Sequence, residues 1–127
     1  MWYENAFGKE KIDFMFNGQF SLAHVRLERV WLNSARDLEL EFLCNDIPDT
    51  IPDKWRRQGF NAINVKLRTL DVVSLHIRGA RLGFFCSPSI ETCVDRSAMV
   101  VVVDGFELNC EARFLDVHEF TGYKDDR

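Results

Sequence analysis

The stretch AMVVVVDGFELNCEARF, residues 98–114, decides the fold. Two strand-like runs flank Asp104-Gly105, a pair favoured in two-residue type I′ hairpin turns because both residues tolerate positive φ. Such a turn fixes a register in which Val103 faces Phe106, Val101 faces Leu108 and Met99 faces Cys110, making one side of the hairpin wholly apolar. The reverse side pairs Val102 with Glu107 and Val100 with Asn109. That mixture requires either a second layer over Val100 and Val102 or a half-exposed face able to meet a partner. Asp104 and Gly105 are therefore assigned a structural role.

The same period of two continues on either side of the hairpin. In LELEFLC, Leu38, Leu40, Phe42 and Cys44 share one face, and Glu39 and Glu41 share the other. Ile63, Val65 and Leu67 alternate with Asn64, Lys66 and Arg68; Val73, Leu75 and Ile77 alternate with Ser74, His76 and Arg78. Apolar positions switch parity twice, from Val25 and Leu27 to Val30 and Leu32, and from the even positions of 106–114 to Leu115 and Val117, as bulges would produce. Only KEKIDFMF, residues 9–16, carries a helical stripe, with Ile12, Met15 and Phe16 at i, i+3, i+4 and a stop at Asn17-Gly18. These patterns predict a mainly β fold, α+β at the margin: antiparallel sheets forming a sandwich or partly closed barrel, with one short N-terminal helix, in a single domain spanning residues 1–127.

Composition agrees with a folded chain. Of 127 residues 46% are hydrophobic, and eleven are phenylalanines, which suits an aromatic β core. The net charge is -4, spread evenly along the chain, so neither a basic arm nor an acidic tail marks a nucleic-acid or tail-mediated function. The first twenty residues lack the parts of a secretory signal, and no segment is apolar for the length of a membrane helix. The expected location is the cytoplasm, where Cys44, Cys86, Cys93 and Cys110 stay reduced.

Catalytic and metal signatures are missing from the sequence. His24, His76 and His118 lie far apart, there is no Cys-x-x-Cys, and no nucleophile elbow, phosphate-binding loop or dinucleotide fingerprint occurs. No metal, cofactor or catalytic residue is expected. The acidic stripes Glu39/Glu41 and Glu107/Glu111 are either a solvated sheet face or a docking surface whose charge steers a basic partner. In DTIPDKWRRQGF, residues 49–60, Trp55 stands among Lys54, Arg56 and Arg57. Either Pro48 and Pro52 stiffen a connection that Trp55 closes by lying over an open end of the sheet, or the cluster contacts nucleic acid by stacking and charge. The first role leaves Arg56 and Arg57 on a rigid support suited to binding.

Three segments carry a family resemblance in order along nearly the whole chain: WYEN with FGKEKIDFMF, IPDKW followed by GFNAINVKL, and the closing EARFLDVHEFTGY. Together they resemble immunity protein 50 of bacterial polymorphic toxin systems. The resemblance implies a cytoplasmic bacterial protein that neutralises a cognate toxin domain by stoichiometric binding, without catalysis. It places Trp55, Gly59 and Asn61 in the shared scaffold. Two departures stand out: NSARD, residues 33–37, lacks a glycine in the first hairpin turn, and GARLGFFCSPSIETCVDRS, residues 79–97, corresponds to no part of the family pattern. Candidate partner-binding residues are Glu39, Glu41, Arg56, Arg57, Glu107 and Glu111, and the acidic stripes suit a toxin with a basic surface, such as a nuclease. The rival readings are a small-molecule-binding β domain with a pocket between sheets and a nucleic-acid module at Lys54–Arg57.

Overall fold

The computed structural model describes residues 2–17, 20–45 and 53–124. Its elements run α1 (Glu10–Phe16), β1 (Val25–Leu32), β2 (Leu38–Cys44), α2 (Asp53–Gln58), β3 (Ala62–Arg78), β4 (Phe84–Cys86), β5 (Ser89–Thr92), β6 (Ser97–Val103) and β7 (Phe106–Tyr123). The strands form one antiparallel sheet in the order β4-β1-β2-β3-β7-β6-β5, curled into a half-barrel. Of the two expected arrangements, the sheet takes the open barrel-like one.

The deciding hairpin has the register expected from its sequence: Val103 pairs with Phe106, Val101 with Leu108, and Met99 with Cys110. Its turn differs from type I′, since Gly105 alone takes left-handed φ, at 86°, while Asp104 does not. One residue without a Cβ is enough to reverse the chain here, so the aspartate is spared the strain of positive φ.

The two runs at 63–67 and 73–77 prove to be halves of one long strand, β3, paired along its length with β7. The strand bends between them. Asp71 takes left-handed φ of 57°, and Val73 is the extra residue of a bulge, which leaves it 56% exposed instead of aligned with Leu75 and Ile77. Both expected parity switches are present, but only the first is a bulge: the β1–β2 register shifts between Leu27 and Arg29, whereas burial passes from Ala112 to Leu115 opposite the bend at Asp71 without a register shift, and the extra residue of β7 lies further on, opposite Lys66/Leu67. In the glycine-free first turn, Arg36 fills the left-handed position with φ 65°. The backbone N–H groups of Ala35 and Asp37 donate to Asn33 Oδ1 at 2.9 and 3.1 Å. Val72 N–H donates to Arg36 O at 2.8 Å, and the Arg36 guanidinium meets Asp71 at 3.0 Å, which ties this turn to the bend of β3.

The inner face of the curled sheet forms the core. Leu40, Leu67 and Val117 share one fully buried cross-strand row. α1 adds Ile12, Met15 and Phe16 to this cluster, and the Phe16 ring lies 4.3 Å from Phe20 and 5.8 Å from Phe120. The helix ends at Asn17 in left-handed conformation, φ 53°; Gly18 lies outside the described residues. Where β6 stops short, Phe7 covers the edge of β7, its N–H donating to Leu115 O and its carbonyl accepting from Val117 N–H, both at 2.8 Å.

Candidate partner-binding surfaces

The outer face of the sheet carries the four glutamates singled out from sequence, Glu39, Glu41, Glu107 and Glu111, and cross-strand register decides their neighbours. Across β1, β2, β3 and β7 the outer positions form two rows: Arg29, Glu41, Lys66, Glu119, and Trp31, Glu39, Arg68, Asp116. Charge alternates along them. Arg68 Nε approaches Glu39 at 3.4 Å, Lys66 Nζ approaches Glu119 at 3.8 Å, and Asn64 Nδ2 donates to Glu41. Glu39 and Glu41 thus share a face, but cations interleave with them and no single-signed stripe forms. The Glu39 side chain keeps only 17% of its exposure.

Glu107 and Glu111 lie in different surroundings. Rows across β6, β7 and β3 read Val102, Glu107, Arg78; Val100, Asn109, His76; and Ala98, Glu111, Ser74. Glu111 pairs with Arg96 at 3.1 Å, while Glu107 makes no ion pair among the described residues. No second layer covers this face among the described residues: Val102 is 66% exposed and Val100 half-buried. The two glutamates therefore flank an uncovered aliphatic strip. Shallow clefts border it, one of about 400 Å³ at Arg78, Val102 and Glu107 and one of about 350 Å³ at Ser74, Val100 and Glu111.

Trp55, Arg56 and Arg57 stand on α2, a second short helix in a segment that the sequence pattern had marked only as a connection. Pro48 and Pro52 lie outside the described residues. Trp55 is half-buried against the core and meets Phe60 edge-on at 6.2 Å. Both rings lie on Gly122 of β7, where a Cβ would fall 2.1 Å from Phe60 and 2.8 Å from Trp55. Gly122 is bare so that two aromatic rings can rest on the strand. Gly59 follows the helix with φ 67° and donates its N–H to Arg56 O, and Asn61 N–H donates to Tyr123 O at 3.0 Å, joining the segment to the sheet end. Lys54, Arg56 and Arg57 point to solvent and make no ion pair among the described residues.

The sequence reading missed the counter-charges Lys66, Arg68 and Arg96 and the placement of the Arg29 guanidinium over the Trp31 ring, 4.9 Å from its centroid. The alternation Asn64, Lys66, Arg68 was visible, but its apposition to Glu41 and Glu39 depends on register between strands separated by 17 residues of chain. Cys44, Cys86 and Cys110 are buried and Cys93 is exposed, all as free thiols. Burial pushes the Cys86 thiol up; it does the same for Cys110, with a smaller opposing effect from Thr69 Oγ1 at 3.4 Å. No three His, Cys, Asp or Glu side chains converge among the described residues, and no helix there is long and apolar enough to cross a membrane.

Comparison with known proteins matches the family model described as immunity protein 50 over residues 8–123, which includes all seven described strands, both described helices and the 79–97 segment. No curated protein and no solved structure matches the chain. With nearly all of its sheet inside the matched region, the chain belongs to the immunity protein 50 family.

Proposed function

We propose that this protein neutralises a cognate toxin domain in the cytoplasm of the bacterium that makes it, by stoichiometric binding without catalysis. The observation that carries this reading is the uncovered strip Val100 and Val102 on the outer face of β6, flanked by Glu107 and Glu111. An exposed apolar centre with a polar rim is the anatomy of a protein interface, and a stable one buries about 1,200–2,000 Å² in total. Glu107, which makes no ion pair with its cross-strand neighbour Arg78, is placed to meet a basic group on the toxin, whereas Glu39 pairs with Arg68 and Glu41 accepts from Asn64 within the sheet. Arg56 and Arg57 offer a second contact at the α2 end of the molecule. The family membership supports a toxin as the partner.

Co-expression with the toxin domain encoded beside it tests the proposal. The expected result is growth rescue with a one-to-one complex, both lost on Val102→Asp. Absence of rescue and of any complex, with the immunity protein folded and abundant, would refute it.

A further inference from the structure

Among the described residues the sheet leaves an open edge along β1. β4 pairs with β1 only at Val25, Arg26 and Leu27, and Gly83 N–H closes on Leu27 O at 2.7 Å. Beyond this point, Arg29–Leu32 pair with β2 on one side and with no strand on the other among the described residues. Open edges are normally blunted by inward charge, proline or shortness. This one has a bulge at Leu27/Arg29, a charged Arg29 and a window of four residues, yet it still presents Trp31 and Leu32, 53% and 52% exposed. Both ends of the window are fixed: the 79–83 connection ends at Leu27, and the Asn33–Asp37 turn is bonded to Val72 and Asp71. A rigid edge loses little freedom when a strand adds to it.

The charge pattern indicates what such a strand should carry. The outer row through this window reads Arg29, Glu41, Lys66, Glu119, so every acid in it has a cation beside it. Arg29 has its only row neighbour on the β2 side. Glu41 in turn accepts from Asn64, and Arg29 makes no ion pair among the described residues, its guanidinium lying over Trp31. The vacant position across from Arg29 is the next place in an alternating ladder, where an opposite charge on a directly facing residue is favourable. On the inner side, Val30 and Leu32 continue rows that are apolar in β2.

We infer that β1 receives an added strand from the toxin, four to five residues long, with an acidic side chain opposite Arg29 and apolar side chains toward Val30 and Leu32. This rests on the proposed neutralising role and adds a second contact, on the edge of the sheet, to the strip on β6. The partner feature predicted here is acidic, opposite in sign to the one that suits Glu107.

The test is hydrogen exchange of the full chain alone and with the toxin domain encoded beside it, together with affinities for Arg29→Glu, Trp31→Lys and Val102→Asp. Expected are slowing of at least tenfold in the amides of residues 29–32 on complex formation, and a Kd raised at least tenfold by Arg29→Glu. A complex that forms with unchanged exchange at 29–32 would overturn the inference and leave the neutralising role standing; no complex at all would remove both. Protection of 29–32 that grows with protein concentration when the toxin is absent would make a second copy of this chain the occupant, which also overturns the assignment.

Discussion

Gly122→Ala isolates the contact that holds α2 to the sheet. A methyl at this position would lie 2.1 and 2.7 Å from Phe60 Cδ2 and Cε2 and 2.8 Å from Trp55 Cδ2, where carbon atoms rest at about 3.5–4.0 Å. The Phe60 ring must therefore retreat by roughly 1.5 Å, an overpacking that costs about 1–3 kcal/mol. Against this, Gly122 is a strand glycine without positive φ, and alanine there regains about 0.5–1 kcal/mol of backbone entropy. At the middle of both ranges the clash wins, with a net loss of about 1 kcal/mol, or a Tm lowered by roughly 3–6 °C for a chain of this size. In a Phe60→Ala background the obstruction is gone and Trp55, half-buried, can shift into the space. The same substitution should then be neutral or stabilising, with a coupling of at least about 1 kcal/mol. Urea and thermal unfolding of the four proteins measures it. A Gly122→Ala protein more stable than the parent, or the same change in both backgrounds, would refute the stacking argument.

Other substitutions probe the rest of the molecule. Trp55→Ala should cost about 1.5–3 kcal/mol, less than a fully buried indole, and an unchanged Tm would assign Trp55 to binding instead of packing. Val102→Asp, on an exposed position but directly opposite Glu107, should cost no more than about 1 kcal/mol of stability while weakening the toxin complex, as read by calorimetry. Stability should fall as pH rises above about 8.5, because the unfolded chain ionises Cys86 and Cys110 there while burial keeps the folded thiols protonated, so the folded state binds more protons. Replacing both with alanine should flatten that slope in a pH series of urea melts. A thiol reagent should modify Cys93 at once and the three buried thiols only at the rate of unfolding, and four equally fast thiols would contradict the burial.

Local chemistry in the chain was enough to determine the hairpin at Asp104-Gly105, its register, the helix at 9–16, both parity switches and the alternating faces except at Val73, because each depends on residues a few positions apart. The family was legible as well, since its segments span the chain. Tertiary structure alone decided which strands became neighbours. The two runs of β3 became one bent strand because Asp71 and the turn at Arg36 hold the bend from opposite sides. Glu39 and Glu41 lost their character as a free acidic stripe because register set Arg68 and Lys66 against them, while Val102 stayed bare and Val100 only half-covered because no layer folded over β6 among the described residues. Even the glycine at 122 gained its meaning from rings 62 and 67 residues earlier in sequence, Phe60 and Trp55. A strand's own sequence specifies which side chains share a face; what lies opposite that face is set by chain closure over long separations, and only the folded sheet records it.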